Sequence, residues 1–109
     1  MVTHSDWNIV YWVRSNDEGA VEEWLDSLDE DQFKSVAKEL KMLEICGNTL
    51  RLPHSRSLGE GLFELRERKY GLRIYYGYQQ QRVIILLAAG NKKTQERDIR
   101  IARQRLESA

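Results

Sequence analysis

A single cysteine, Cys46, and only two histidines, His4 and His54, occur in 109 residues. One thiol permits no internal disulfide and no cysteine-based zinc site, so Cys46 reads as a small core residue near a helix end. Two histidines so far apart give little basis for a metal site. They could form an acid/base pair only if the N-terminus folded back onto the loop that carries His54. No apolar run reaches the roughly 18 residues that a membrane span requires. The start, Met1 to Asp6, lacks the basic region and apolar stretch of a signal peptide, which makes the cytoplasm the expected location. With one proline, seven glycines and 31% charged residues, the composition excludes a disordered or low-complexity chain and fits one globular domain over residues 1–109.

The formal net charge is zero, yet the charges are segregated. Residues 1–31 hold nine acidic side chains against Arg14 alone, a net of −8, and residues 32–109 hold sixteen basic and eight acidic ones, a net of +8. A basic C-terminal portion points to polyanions. The acidic portion must face away from them or engage something else.

Asn8 to Val13 is a compact apolar and aromatic run that predicts a first strand. Asn16 or Asp17 can cap a helix whose apolar stripe is Val21, Trp24, Leu25 and Leu28. Asp29 opens a second helix with Phe33, Val36, Ala37, Leu40 and Leu43 on one side, ended by Gly47. Residues 47–61, with Pro53, His54, Arg51 and Arg56, are expected to be irregular, and His54 is a candidate general base there.

Three segments rich in β-formers follow: Gly61 to Arg66, Leu72 to Tyr76, and Arg82 to Leu87. A turn over Arg68 to Gly71 pairs Glu67 with Leu72, Leu65 with Ile74 and Phe63 with Tyr76. The same register sets Arg66 opposite Arg73 and Glu64 opposite Tyr75 on the other face. Two arginines placed opposite one another repel by a few tenths to about 1 kcal/mol, so an anion is expected between them. Glu64 in a structural salt bridge and a bound phosphate both satisfy that demand. Val83 to Ala89 is apolar without alternation, which predicts a strand inside the sheet.

Gly90-Asn91 breaks that strand, and Thr94 is positioned to cap a last helix from Gln95 to about Leu106. Its apolar side is narrow, and Arg97, Arg100, Arg103 and Arg105 make the rest basic. Lys92 and Lys93 precede the helix at a cost of about 0.3–1 kcal/mol each. An anion bound there, or Glu96 and Asp98 in the first turn, would offset that cost.

Taken together, Gly61-Leu62-Phe63-Glu64-Leu65-Arg66, Arg73-Ile74-Tyr75-Tyr76, Leu86-Leu87, Lys92-Lys93-Thr94 and Asp98-Ile99 with Ala102 and Arg105 resemble the Gp49-like, HigB-type branch of the RelE/ParE toxin superfamily. The resemblance spans residues 61–105. It implies an α+β, RelE-like fold: an N-terminal strand, a helix pair, an antiparallel three-stranded meander completing a small curved sheet, and a C-terminal helix. It also implies the toxin of a type II toxin–antitoxin system, a ribosome-dependent endoribonuclease that cleaves mRNA and inhibits translation. A small antitoxin, often a helix-turn-helix protein, would neutralise it, and no metal or organic cofactor is expected. Two positions depart from the pattern: Phe63 stands where tryptophan is usual, and Ala88 where histidine often follows the paired leucines.

RNA cleavage without metal needs the 2′-OH deprotonated, the phosphate charge stabilised and the 5′-oxygen protonated. On this reading Arg66 and Arg73 clamp the phosphate, Tyr75 stacks on a base or moves a proton, and Glu64 serves as a base if no ion pair holds it. Lys92, Lys93 and Arg97 contact the RNA backbone, and Arg68 with Lys69 at the hairpin turn reaches ribosomal RNA. Two alternatives share the scaffold: a ParE-like poison of DNA gyrase, and an RNA-binding protein without catalysis.

Overall fold

A computed structural model describes residues 6–13 and 20–109. The elements are β1 (Asn8–Tyr11), α1 (Ala20–Ser27), α2 (Glu30–Cys46), β2 (Ser55–Gly59), β3 (Leu62–Glu67), β4 (Leu72–Gln79), β5 (Val83–Asn91) and α3 (Gln95–Glu107). Single 3-10 turns, Gly47–Thr49 and Lys92–Thr94, follow α2 and precede α3. The proposed helix caps Asn16 and Asp17 lie outside the described residues.

The helix pair forms for the reasons its sequence supplies. Asp29 caps α2 through a reciprocal box: its carboxylate accepts from the Gln32 amide at 2.8 Å, and Gln32 Oε1 accepts from the Asp29 amide at 3.3 Å. Gly47, at φ +52°, ends α2 by sending its N–H to Leu43 O. Val21, Leu25, Val36 and Leu43 are buried, with Trp24, Leu28 and Leu40 packed around them. Phe33 belongs to the apolar stripe by spacing but is 45% exposed.

The sheet has five strands in the order β1-β5-β4-β3-β2, with β1 parallel to β5 and the other pairs antiparallel. The β3–β4 register is the one that the turn predicts, with Glu67 opposite Leu72, Leu65 opposite Ile74 and Arg66 opposite Arg73. β5 lies between β1 and β4, as its unbroken apolar run requires.

One expectation fails outright: part of residues 47–61 is a strand. β2 pairs along β3, with Ser55 opposite Leu65 and Arg56 opposite Glu64, and a bulge lies between Ser57 and Gly59. Ser-Arg-Ser-Leu-Gly carries almost no β propensity of its own. The edge of β3 supplies the ladder, and Ser55 joins the core by hydrogen bonding to the Tyr76 hydroxyl.

Both faces of the sheet are covered, as the unbroken apolar run of β5 predicts. α1 and α2 cover the face of Leu65, Ile74, Tyr76, Ile84 and Leu86. The opposite face is also covered: α3 lies on it through Ala102, Ile99 and Leu106, over Leu62, Tyr75, Ile85, Leu87 and Ala88. The β4–β5 register shifts at Tyr75/Tyr76, where Tyr75 pairs with Ala88 and Tyr76 with Leu86. Leu87 is the extra residue of this bulge, so Leu87 and Ala88 both face α3.

Thr94 holds the N-cap position of α3 but makes no capping bond there. Asn91 caps instead, its Oδ1 accepting from the amides of Lys93 and Thr94, while the Thr94 hydroxyl donates to Asp98 Oδ2. Among the described residues, no helix is long and apolar enough to cross a membrane.

Leu43 is fully buried between α2 and the sheet. Leu43→Ala is expected to lower stability by about 2–5 kcal/mol with an unchanged far-UV spectrum, as urea titration would measure.

Candidate nucleic-acid interface

Strand alternation sends Glu64 and Arg66 from β3, and Arg73 and Tyr75 from β4, to the face that α3 covers. Near the start of α3 the cover is polar, and a carboxylate meets three guanidinium groups there. Glu64 Oε1 lies 3.0 Å from Arg73 Nη1, 3.3 Å from Arg56 Nη2 and 3.8 Å from Arg66 Nε. Its Oε2 accepts from Gln95 Nε2 of α3 at 2.8 Å. Glu64 and Arg73 are both buried, which makes their pair strong in Coulomb terms and costly in desolvation. The Gln95 hydrogen bond and the Arg56 ion pair help to offset that cost.

This arrangement answers the question raised by the opposed arginines. Glu64 provides the anion between Arg66 and Arg73, so it is committed to ion pairs and is not a free base. Three cations share one carboxylate, which leaves a local surplus of positive charge. The Nε atoms of Arg66 and Arg73 are buried and make no hydrogen bond among the described residues.

Tyr75 is corrected as well. Its ring is fully buried and lies against Leu87 and Ala88, so it offers no surface for stacking on a base. Burial first, and the Glu64 carboxylate second, push its phenol well above the ordinary tyrosine range. Ala88 pairs with Tyr75 and is buried, so this wall of the site is apolar where an imidazole had been the family expectation.

Beside the cluster, a cavity of about 210 Å³ is lined by Arg66, Glu67, Arg68, Gly71, Arg73 and Lys92. A second, of about 270 Å³, is lined by Tyr70, Gly71, Asn91, Lys92 and Lys93. The two share Gly71 and Lys92, so they form one cleft along the β3–β4 turn and the end of β5. Glu67 in this lining is buried, and its carboxylate is held by Ser35 Oγ and by the amides of Lys69, Tyr70 and Leu72.

Of the residues singled out by sequence, the fold gathers Arg66, Arg68, Arg73, Lys92 and Lys93 around this cleft. Lys69 lies outside the lining, with its Nζ 5.3 Å from the Tyr70 ring centroid. Arg97 stands apart, exposed, with Nε 3.6 Å from Asp98 Oδ1. His54 also lies elsewhere: its Nδ1 is 3.0 Å from Glu39 Oε1 of α2. Arg103 and Arg105 are spent on structure, donating to Leu58 O and Leu87 O at 2.8 and 2.7 Å.

Sequence reasoning missed Arg56, Gln95 and Gly90. Arg56 was hidden because β2 carries no strand signal. Gly90 sits opposite Arg73, and a Cβ there would stand 2.0 Å from Asp98 Oδ2 and 2.4 Å from Thr94 Oγ1. Only glycine lets α3 start this close to the sheet. Among the described residues, no group of three or more His, Cys, Asp or Glu side chains could hold a metal ion.

Comparison with known proteins agrees with this fold. The fold is that of the RelE toxin: a double arginine-to-alanine mutant of E. coli RelE in the free state superposes with a TM-score of 0.67 at 17% identity, over 92% of this chain and 97% of that one. The isolated E. coli RelE toxin gives 0.56 at 19% identity, over 87% and 98% of the two chains. Residues 23–107 match the family described as phage derived protein Gp49-like (DUF891), and the chain belongs to that family. An uncharacterized protein of Haemophilus influenzae is 41% identical over 49 residues, 44% of this chain. The chain spans half the length of that curated relative.

Two outcomes follow for the cluster. Glu64→Gln leaves Arg73 buried without its counter-charge and is expected to cost about 3–5 kcal/mol in urea unfolding. Tyr75 and Tyr76 have folded-state pKa values raised above the ordinary 10.0, chiefly by burial. The unfolded chain therefore loses these protons first, so their contribution to stability is complete below about pH 10 and declines above it. Tyrosinate absorbance during alkaline titration should show both phenols ionising only as circular dichroism reports unfolding.

Proposed function

We propose that this chain is the toxin of a type II toxin–antitoxin pair and acts as a metal-independent, ribosome-dependent endoribonuclease on mRNA, inhibiting translation in the cytoplasm. The observation that carries the reading is the cationic cleft, in which Arg66, Arg68, Arg73 and Lys92 line one cavity and Lys93 extends it. Family membership and the RelE fold support the toxin class. A small antitoxin, of helix-turn-helix type on the family resemblance, is the expected neutralising partner.

In such a cleavage the 2′-oxygen attacks phosphorus as its proton passes to water, the bond to the 5′-oxygen breaks as that oxygen takes a proton from water, a 2′,3′-cyclic phosphate forms, and negative charge builds on the non-bridging oxygens. The cleft's contribution is to stabilise that charge. Arg73 is held in place by Glu64 before substrate arrives, and Arg66, 30% exposed along its side chain, reaches outward from the same carboxylate. Lys92, exposed at the join of the two cavities, positions the backbone.

A second reading has one specific observation behind it. Glu64 is locked in ion pairs and Tyr75 is buried, so neither meets solvent to exchange a proton. On that account the same cleft binds RNA without cutting it.

Arg66→Ala combined with Lys92→Ala separates the readings. Unlike Arg73→Ala, the pair leaves the buried ion pair intact, so the variant folds. In-vitro translation with primer-extension mapping should show cuts within codons for the wild type, reduced about 100-fold or more in the double variant. RNA that is bound yet uncut by the wild type selects the non-catalytic reading. Trapped gyrase–DNA complexes with intact mRNA would establish a gyrase poison and overturn the proposal.

A further inference from the structure

Tyr70 is an aromatic residue in a hairpin turn, between Lys69 and Gly71, where turn chemistry has no use for one. Tyr70 is 36% exposed, and it is the one aromatic side chain, among the described residues, that lines either cavity of the cleft. We propose that Tyr70 is a base-stacking residue. The cavity of Tyr70, Gly71, Asn91, Lys92 and Lys93 takes one nucleobase of a single-stranded RNA whose adjacent phosphate lies among Arg66, Arg73 and Lys92. The inference rests on the RNA-binding reading above and names the part of the substrate that this end of the cleft recognises.

Three features support the assignment. First, the platform is rigid. The Glu67 carboxylate accepts from the amides of Lys69, Tyr70 and Leu72 at 2.9, 3.0 and 3.3 Å, and from Ser35 Oγ of α2 at 2.6 Å. The turn that carries the ring is thereby tied to a helix, so little ordering remains to be done when a base arrives.

Second, the ring has one face engaged. Lys69 Nζ lies 5.3 Å from its centroid, a cation–π contact on one face, while the residue keeps 36% of its surface exposed beside the cavity. The cavity volume, about 270 Å³, falls just under the ~300 Å³ at which pockets begin to hold drug-sized ligands and suits a single nucleoside.

Third, the polar lining donates. Asn91 Oδ1 is occupied by the amides of Lys93 and Thr94 at 2.8 and 3.3 Å, which leaves its Nδ2 for a ligand. With the ammonium groups of Lys92 and Lys93, the pocket presents donors to the carbonyl and ring-nitrogen acceptors of a base edge and to phosphate. A stacking surface beside a cationic track is the combination that binds single strands. Tyr75, the residue first expected to stack, is sealed beneath α3, so the cleft depends on Tyr70 for this contact.

The test uses the full purified chain and two fluorescently labelled probes: a short single-stranded RNA, and the same backbone with abasic ribose throughout. Affinities are measured by anisotropy at fixed salt and again across a salt series. Tyr70→Ala is expected to weaken binding of the natural RNA about 5- to 150-fold, leave binding of the abasic strand unchanged, and leave the salt slope unchanged. Tyr70→Phe should restore the affinity, since the ring and not the hydroxyl does the stacking. Equal binding of natural RNA by wild type and Tyr70→Ala overturns the inference, as does equal loss on both probes, which would mean that Tyr70 only holds the turn. Both of those outcomes leave the RNA-binding reading standing. A wild-type chain that binds neither probe overturns this inference, while ribosome-dependent cleavage is decided separately by the primer-extension mapping above.

Discussion

The pair formed by Glu64 and Arg73 beneath the start of α3 is the interaction on which the rest of the molecule depends. It is a charge pair in a place where a sheet would ordinarily be apolar, and it is tolerable only because every neighbouring element serves it. β2 brings Arg56, β3 brings Arg66, and α3 brings Gln95 onto the same carboxylate. Gly90 lets the first turn of α3 come close enough to do so. A buried carboxylate with one partner would be a liability, whereas one with two hydrogen-bond donors and two further guanidinium groups beside it is a fixed point for three strands and a helix.

That fixed point also explains the electrostatics of the cleft. One negative charge cannot neutralise three guanidinium groups, and the surplus is directed to the side where Arg68, Lys92 and Lys93 add to it. The acidic residues of α1 and α2, Glu22, Glu23, Glu30 and Asp31 among them, belong to the layer on the other face of the sheet. The charge asymmetry along the chain thus becomes an asymmetry across the sheet. A polyanion approaching such a molecule would be drawn to one side and repelled from the other.

Much of the architecture was legible because it depends on local chemistry. The Asp29 capping box, the Gly47 stop, the turn that sets Glu67 against Leu72 and the unbroken apolar run of β5 each carry their instruction within a few residues. β2 was not legible, because Ser55 to Gly59 become a strand only when β3 offers an edge to pair with. That β5 is covered on both faces was legible in its apolar run, but how closely α3 lies over Glu64 and Tyr75 was not, since the apolar side of α3 is narrow and Ala102 gives little sign of it. That covering decides what Tyr75 and Glu64 can do: strand alternation placed them together correctly, but only burial shows that one is enclosed and the other committed.

By itself the sequence determined the β3–β4 register, the segregation of charge and the concentration of arginine and lysine between residues 66 and 93. These follow from side-chain period, turn geometry and composition, all of which are local. Tertiary structure alone decided which of those cations share a cavity, that Glu64 is their counter-ion, and that the accessible aromatic at the cleft is Tyr70 and not Tyr75. Burial and the partition of one carboxylate among several cations depend on residues far apart in the chain, here positions 56, 64, 73 and 95, and no local pattern encodes such a meeting.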